Sequence, residues 1–170
     1  LLSDYYPGDV VSAQLYETEK RNLPFFGYGA KSFMLSMIET AIELSQGAIT
    51  AEGIQSIINL GKEMLDRPVQ LLDGVRHVLD SLEEDYTLML ITKGDLLDQE
   101  SKLARSGLGR FFQHVEIVSG KEPEIYQAIL DLYGLLPEEF VMIGNSLRSD
   151  ILPVLEIGAC AIHIPAESTW

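Results

Sequence analysis

The sequence has 170 residues, enough for one ordinary domain or a domain with an insertion, and 46% hydrophobic against 22% charged residues excludes a disordered chain. Twelve basic against 26 acidic side chains leave a net charge of −14, which excludes general affinity for nucleic acid or an anionic membrane, since both require a basic face. The single Cys160 excludes an internal disulfide and a cysteine-rich metal site, no apolar run nears the roughly twenty residues that span a bilayer, and the opening residues lack a signal peptide's basic and apolar regions, so the expectation is a cytoplasmic chain.

Residues 1–67 read as helix only. Ala30, Phe33, Met34, Met37, Ile38, Ala41 and Leu44 recur at helical spacing, and Gly47 is a plausible stop. A second helix follows Thr50, a good N-cap, with Ile54, Ile57, Ile58, Gly61, Met64 and Leu65 as its apolar stripe. An aromatic turn is expected over 23–29, carrying Phe25, Phe26 and Tyr28. No segment here alternates with a period of two.

Pro68 interrupts this pattern, because it disfavours helix at the preceding residue and lacks a backbone donor. Beyond it helix and strand take turns. A helix is expected over 71–84, with Leu72, Val75, Val78, Leu79 and Leu82 on one face. The apolar run 87–91 reads as a strand buried on both faces. A helix over 96–106, a strand over 115–118, a helix over 123–133, a strand over 140–143, a helix near 148–157 and a strand over 160–164 complete the series. Strands alternating with helices imply an α/β fold, a Rossmann-like three-layer parallel sheet. Right-handed crossovers place every strand's C-terminal end on one edge, where such sheets bind ligands.

Those strand ends carry unusual polar residues. The first ends in Thr92-Lys93-Gly94-Asp95, the second in Ser119-Gly120-Lys121-Glu122, the third in Gly144-Asn145-Ser146-Leu147-Arg148-Ser149-Asp150. Hydroxyl and ammonium groups suit a phosphate, and a carboxylate suits a divalent metal. Each group alone also has an ordinary explanation. Thr92 fits simple turn chemistry, Lys121 a solvated charge before a helix, Ser146 or Asn145 an N-cap, and Asp150 a first-turn carboxylate favoured by the helix dipole. His77 reads as a surface residue, His114 and His163 as structural, and Cys160 as a small buried apolar residue.

In order, each after its own strand, the Thr92-Lys93-Gly94-Asp95 segment, Lys121 and the Gly144–Asp150 segment resemble the motifs of the haloacid dehalogenase-like hydrolase superfamily. The resemblance implies a helical cap over 1–67 and a Rossmann-like core over 68–170. It implies an Mg²⁺-dependent phosphatase of a small phosphorylated metabolite, working through an aspartyl-phosphate. Thr92 and Lys121 would be catalytic, with Thr92, Lys93, Gly94 and Lys121 binding phosphate. Asp150 and Asn145 would hold the metal, Asn145 standing where many members have Asp. Phe25, Phe26 and Tyr28 are candidates for contact with the leaving group.

The family's nucleophile is the first Asp of an Asp-x-Asp pair after an early apolar strand, and no Asp-x-Asp occurs in the 170 residues. Asp4 and Asp9 have neither the partner carboxylate nor the strand. The expectation is therefore a truncated chain, inactive alone, lacking a central strand. Its strand order would be 160–164, 140–143, a gap or closure, 87–92, 115–118, and the exposed gap would favour a homodimer. The alternative is a catalytically inactive metabolite-binding or regulatory domain that keeps the scaffold without the chemistry.

Overall fold

The computed structural model describes residues 6–166. Asp4, considered above as a nucleophile, lies outside them, as do the other opening residues. The chain divides into two compact units, the first ending at Ile117 and the second beginning at Val118.

The first unit opens with α1 (Gly8–Phe26), α2 (Ala30–Leu44) and α3 (Ala51–Asp66). The α1–α2 seam differs from the expected apolar stripe. Its buried members are Thr18 and Asn22 on α1 with Ser36, Thr40 and Ala41 on α2, while Phe33, Met34, Met37 and Ile38 are half-buried. Small side chains let the helices approach, and the polar atoms then need partners. Asn22 Nδ2 donates to Ser36 Oγ (3.2 Å) and Glu39 Oε2 (2.6 Å), and Thr18 Oγ1 donates back to Gln14 O (3.0 Å). Thr50 caps α3 as expected, accepting from Gly53 N at 3.1 Å. Gly61 lets α3 pack closely on α2, because a Cβ there would press on the Met34 side chain.

Two expected boundaries move. The aromatic turn is shorter than 23–29. Helix α1 keeps Pro24 in its last turn and ends where Gly27, at φ 66°, leaves the helix and donates to Leu23 O (3.0 Å). The helix expected from 71 begins at Val75, as α4 (Val75–Leu82), because Gly74 adopts a left-handed φ of 81°. Leu72, placed on that helix's apolar face by its spacing, is 79% exposed.

The rest of the first unit is β1 (Met89–Lys93), α5 (Leu96–Ser106), a 3-10 turn at Gly109–Phe111 and β2 (His114–Val118), the strand at which the units divide. Strand β1 starts and ends two residues later than expected, so Thr92 and Lys93 are strand residues, not loop residues. Helix α5 has the expected bounds. Asp95 caps it, accepting from Asp98 N at 3.0 Å, and Gly107 closes it in a left-handed conformation.

The second unit contains α6 (Pro123–Tyr133), β3 (Val141–Gly144), a π-helical turn at Leu147–Ile151, α7 (Leu152–Glu156) and β4 (Cys160–His163). Its core is Tyr126, Ile129, Leu130, Ile151, Val154 and Ala159. β3 pairs with β4 in parallel, Val141 opposite Cys160 and Ile143 opposite Ile162, and β1 pairs with β2. These are the neighbours expected from the chain order, within an α/β, Rossmann-like fold. Cys160 corrects an expectation: it is exposed, not buried. Register puts it on the same face as Val141, Ile143 and Ile162, which are 51%, 47% and 52% exposed.

Candidate active site

At the end of β3 the backbone makes a wide turn. Asp150 N and Ile151 N both donate to Ser146 O, at 2.8 and 3.2 Å, and the second of these spans five residues. Such π-turns aim side chains differently from an ordinary helix start. Here the turn brings Asp150 back over β3. Ser146 N donates to Asp150 Oδ2 (2.9 Å), and Ser146 Oγ accepts from Ser149 N (3.2 Å). Gly144 leaves room for the carboxylate, since a Cβ there would sit 2.4 Å from Asp150 Cβ and 2.6 Å from Oδ2.

Lys121 meets this carboxylate. Its Nζ lies 2.7 Å from Asp150 Oδ1, and the two side chains are only 11% and 6% exposed. The solvated-lysine explanation for Lys121 therefore fails, while Asp150 keeps its place in the first turn: burial on this scale is tolerated because the charges are paired and hydrogen-bonded. Lys121 reaches the pair from just before α6, which opens on Pro123 at a position where a missing N–H costs nothing. Tyr126, one turn on and fully buried, donates its phenol to Ser149 O (2.9 Å) and so braces the turn that presents Asp150. Burial, and secondarily the charge of Asp150, raise the Tyr126 phenol well above its ordinary pKa. Asn145 is exposed, and its backbone oxygen lies 3.1 Å from His163 Nε2.

The end of β1, in the first unit, has a different character. Thr92 Oγ1 donates to Gln99 Oε1 (3.0 Å) on α5. Gly94 has φ 147°, and a Cβ on it would lie 3.0 Å from Gln99 Nε2. Lys93, next along the strand, sends its ammonium over the ring of Tyr28, 3.6 Å from the centroid. Asp95 pairs with Lys31 (2.9 Å); the Lys31 ammonium first, then the Asp98 N–H, hold its carboxyl below the usual range. Tyr28 is thus joined to a strand-end residue. Phe25 and Phe26 are 79% and 52% exposed and touch each other, with centroids 6.5 Å apart.

As metal ligands, Asp150 and Asn145 fit as part of a set. Both Asp150 oxygens already accept one hydrogen bond, and Asn145 contributes a neutral amide. Among the described residues no group of three His, Cys, Asp or Glu converges on one point. Mg²⁺ takes six oxygen ligands, commonly one or two carboxylates with waters and phosphate oxygens. One buried carboxylate and one exposed amide match the protein's share of such a sphere only if another carboxylate joins them. A groove of about 490 Å³ lined by Leu71, Leu72, Asp73, Gly74, Arg76, His77 and Asp80 contains none of the candidate residues.

Three residues of these clusters were not singled out from the sequence. Tyr126 falls within the helix expected over 123–133, and the need of a buried phenol for an acceptor is its one signal. Gln99 and Lys31 gave no signal, because each gains meaning only from a strand end distant in sequence.

The family model for haloacid dehalogenase-like hydrolases matches residues 5–158. A haloacid dehalogenase-like family hydrolase from Xanthomonas campestris superposes with a TM-score of 0.92 at 48% identity, covering 96% of this chain and 69% of that one. The glyceraldehyde 3-phosphate phosphatase of Pyrococcus furiosus is 35% identical over half of this chain and 38% of its own length. Human N-acylneuraminate-9-phosphatase is 27% identical over 71% of this chain and 50% of its own. The chain therefore spans at most about half the length of these curated relatives.

Proposed function

Because the chain belongs to the haloacid dehalogenase-like hydrolase family, we propose that it is part of a phosphatase acting on a small phosphorylated metabolite in the cytoplasm. Phosphatases among its sequence relatives support the reaction class. The observation that carries the reading is the buried Lys121–Asp150 pair at the mouth of a π-turn. A structural ion pair gains little net stability from such burial. A preorganised ammonium, by contrast, stabilises charge as it develops on a transferring phosphoryl group.

On this reading residues 1–67 form the cap and 68–170 the core. Lys121 keeps one N–H on Asp150 and turns the others to phosphoryl oxygens. Thr92 contributes its hydroxyl, whose hydrogen can rotate away from Gln99, and Gly94 offers its backbone N–H. Lys93 leaves β1 on the face opposite Thr92 and takes no part in holding the phosphoryl group. The attacking carboxylate belongs to an Asp-x-Asp segment outside the 170 residues. It displaces the alcohol to give an aspartyl-phosphate, and water then releases inorganic phosphate. Asp150 and Asn145, with a carboxylate of that segment, would hold Mg²⁺, which would supply further charge neutralisation.

The test uses the full-length natural protein, its mass and N-terminal sequence first established. Phosphate release should be measurable, and Lys121→Met should lower kcat by about 10²–10³-fold, the usual cost of one electrostatic contact to the transition state. A full-length protein with an Asp-x-Asp segment and no turnover of any phosphate ester would instead favour the non-catalytic binding domain.

A further inference from the structure

Lys93 stands apart from the other cations of the first unit. Lys20, Arg21, Lys31, Lys102 and Arg110 each pair with a carboxylate, Arg105 is exposed and donates to the Leu65 and Arg67 carbonyls, and Lys62, Arg67 and Arg76 are exposed to water. Lys93 is half-buried, and among the described residues its contact is the Tyr28 ring. A partly desolvated ammonium in a chain of net charge −14 has acidic side chains in abundance to pair with, yet it rests on an aromatic face.

The contact is held from both ends. Gly27 and Gly29, at φ 66° and 129°, make the loop that carries Tyr28. A Cβ on Gly29 would come within 3.4 Å of Asp95 N, so the loop lies against the backbone just past Lys93. The Lys31–Asp95 pair then ties the loop down and cancels its own charge, leaving the Lys93 ammonium as the surplus positive charge of the cluster. The ring covers one side of that ammonium, and Lys93 keeps part of its surface open to solvent.

Thr92 and Lys93 are consecutive strand residues, so their side chains leave β1 on opposite faces. Thr92 turns to Gln99 on α5, and Lys93 turns to the α1–α2 loop. A ligand whose phosphoryl group engages Thr92 meets Lys93 with a different part of itself.

We propose that Lys93, oriented by Tyr28, is a specificity-determining residue that binds a carboxylate on the leaving group, which makes the substrate class phosphate monoesters of hydroxy acids. This rests on the phosphatase reading. A single surplus cation matches a monovalent carboxylate; a second phosphate would call for more than one positive group. Tyr28 gives the ammonium a fixed place, which reduces the ordering needed when substrate binds.

The experiment compares 3-phosphoglycerate with glycerol 3-phosphate, which differ by a carboxylate against a hydroxymethyl group, using full-length protein. The wild type should prefer the acid through a KM lower by about tenfold or more, as expected for a site built around one polar group. Lys93→Met should abolish that preference by raising KM for 3-phosphoglycerate, with less than about a twofold change for glycerol 3-phosphate. Lys93→Arg should retain most of it, and Tyr28→Leu should show the same split more weakly, which covers the case of a poorly folding Lys93→Met. Equal losses on both esters would put Lys93 on the transferred phosphoryl, and no loss would make it a packing residue; either overturns the proposal, as does a wild type without preference. If neither ester turns over, the phosphatase reading is decided by its own test on other phosphate esters, and NMR titration with D-glycerate still decides the carboxylate site. Shifts at the Tyr28 ring that disappear in Lys93→Met support it, and a titration without shifts overturns it.

Discussion

The ends of β1 and β3 use the same residue types to opposite effect. At β3, Lys121 and Asp150 are almost fully buried, and every neighbour serves their geometry: Gly144 makes room, Ser146 N holds the second oxygen, and Tyr126 braces the turn. At β1, Lys31 and Asp95 are 45% and 33% exposed and Lys93 leans on a ring open to solvent. Dry, paired charges are costly to disturb, whereas half-solvated ones are weak and can exchange partners. The buried cluster is thus suited to a fixed electrostatic task, and the open one to discriminating between ligands.

This contrast predicts a steep ranking of mutational effects. Asp150→Ala leaves the Lys121 ammonium buried without its partner and should destabilise the protein by about 3–5 kcal/mol, at the lower end because Lys121 keeps slight exposure. Thermal unfolding measures it. The double variant Lys121→Met/Asp150→Leu should recover much of the loss, because a well-packed apolar pair carries no desolvation penalty. If the single variant unfolded at the wild-type temperature, the pair would be no more than a surface contact. Gly144→Ala comes next. Its methyl group would overlap Asp150, and relief by displacing the carboxylate should cost about 1–3 kcal/mol. Phosphate release in the full-length protein should fall with it, since the displaced carboxylate no longer orients Lys121.

Tyr126→Phe removes one hydroxyl and leaves the Ser149 carbonyl without its donor, a loss of about 1–2 kcal/mol at neutral pH. Its pH dependence is the sharper test. In the folded protein the phenol's pKa lies above the ordinary value of 10.0, so above that pH the unfolded chain loses this proton first. Proton release by the unfolded state favours unfolding, so wild-type stability should decline as pH rises past about 10. The Phe variant lacks that proton, and the stability gap between the two should therefore narrow between pH 9 and 11. A gap constant across that range would show that the phenol titrates normally.

Much of this was readable in the sequence wherever local chemistry decides the outcome. Helices α5 and α6 have their expected bounds because Asp95 and Pro123 open them and Gly107 and Gly134 close them. Thr50 caps α3 for the same local reason. The errors arose where local pattern was outweighed. Gly74 in a left-handed conformation cut four residues from the expected start of α4, and Pro24 was accommodated within the last turn of α1. Cys160 is exposed because its burial depends on what covers one face of β3 and β4, which no spacing rule states. The polar α1–α2 seam escaped because apolar periodicity has no means of registering Thr18, Asn22, Ser36 and Thr40 as the buried set. Lys121 and Asp150 were found by motif order, but their mutual contact, and the parts of Tyr126 and Gln99, exist only in three dimensions.

The smallest expected effect lies at β1. Lys31→Met breaks a pair that water already screens, so the loss should be below about 1 kcal/mol and shrink further as salt is raised. Its pH signature follows from the lowered Asp95 carboxyl pKa. Between that pKa and the unfolded one the unfolded chain binds the extra proton, so the pair's contribution is present above the unfolded value and fades as pH falls through the folded one. Wild type and Lys31→Met should therefore differ slightly at pH 7 and coincide in acid. Freed from Lys31, Asp95 becomes an uncompensated carboxylate close to Lys93, and the surplus positive charge of the cluster is cancelled. Affinity for an anionic leaving group should then fall by more than the stability loss predicts, visible as a raised KM for 3-phosphoglycerate at nearly unchanged kcat. A KM that stayed at the wild-type value would mean that the loop is held by backbone packing of Gly29 on Asp95, with the ion pair incidental.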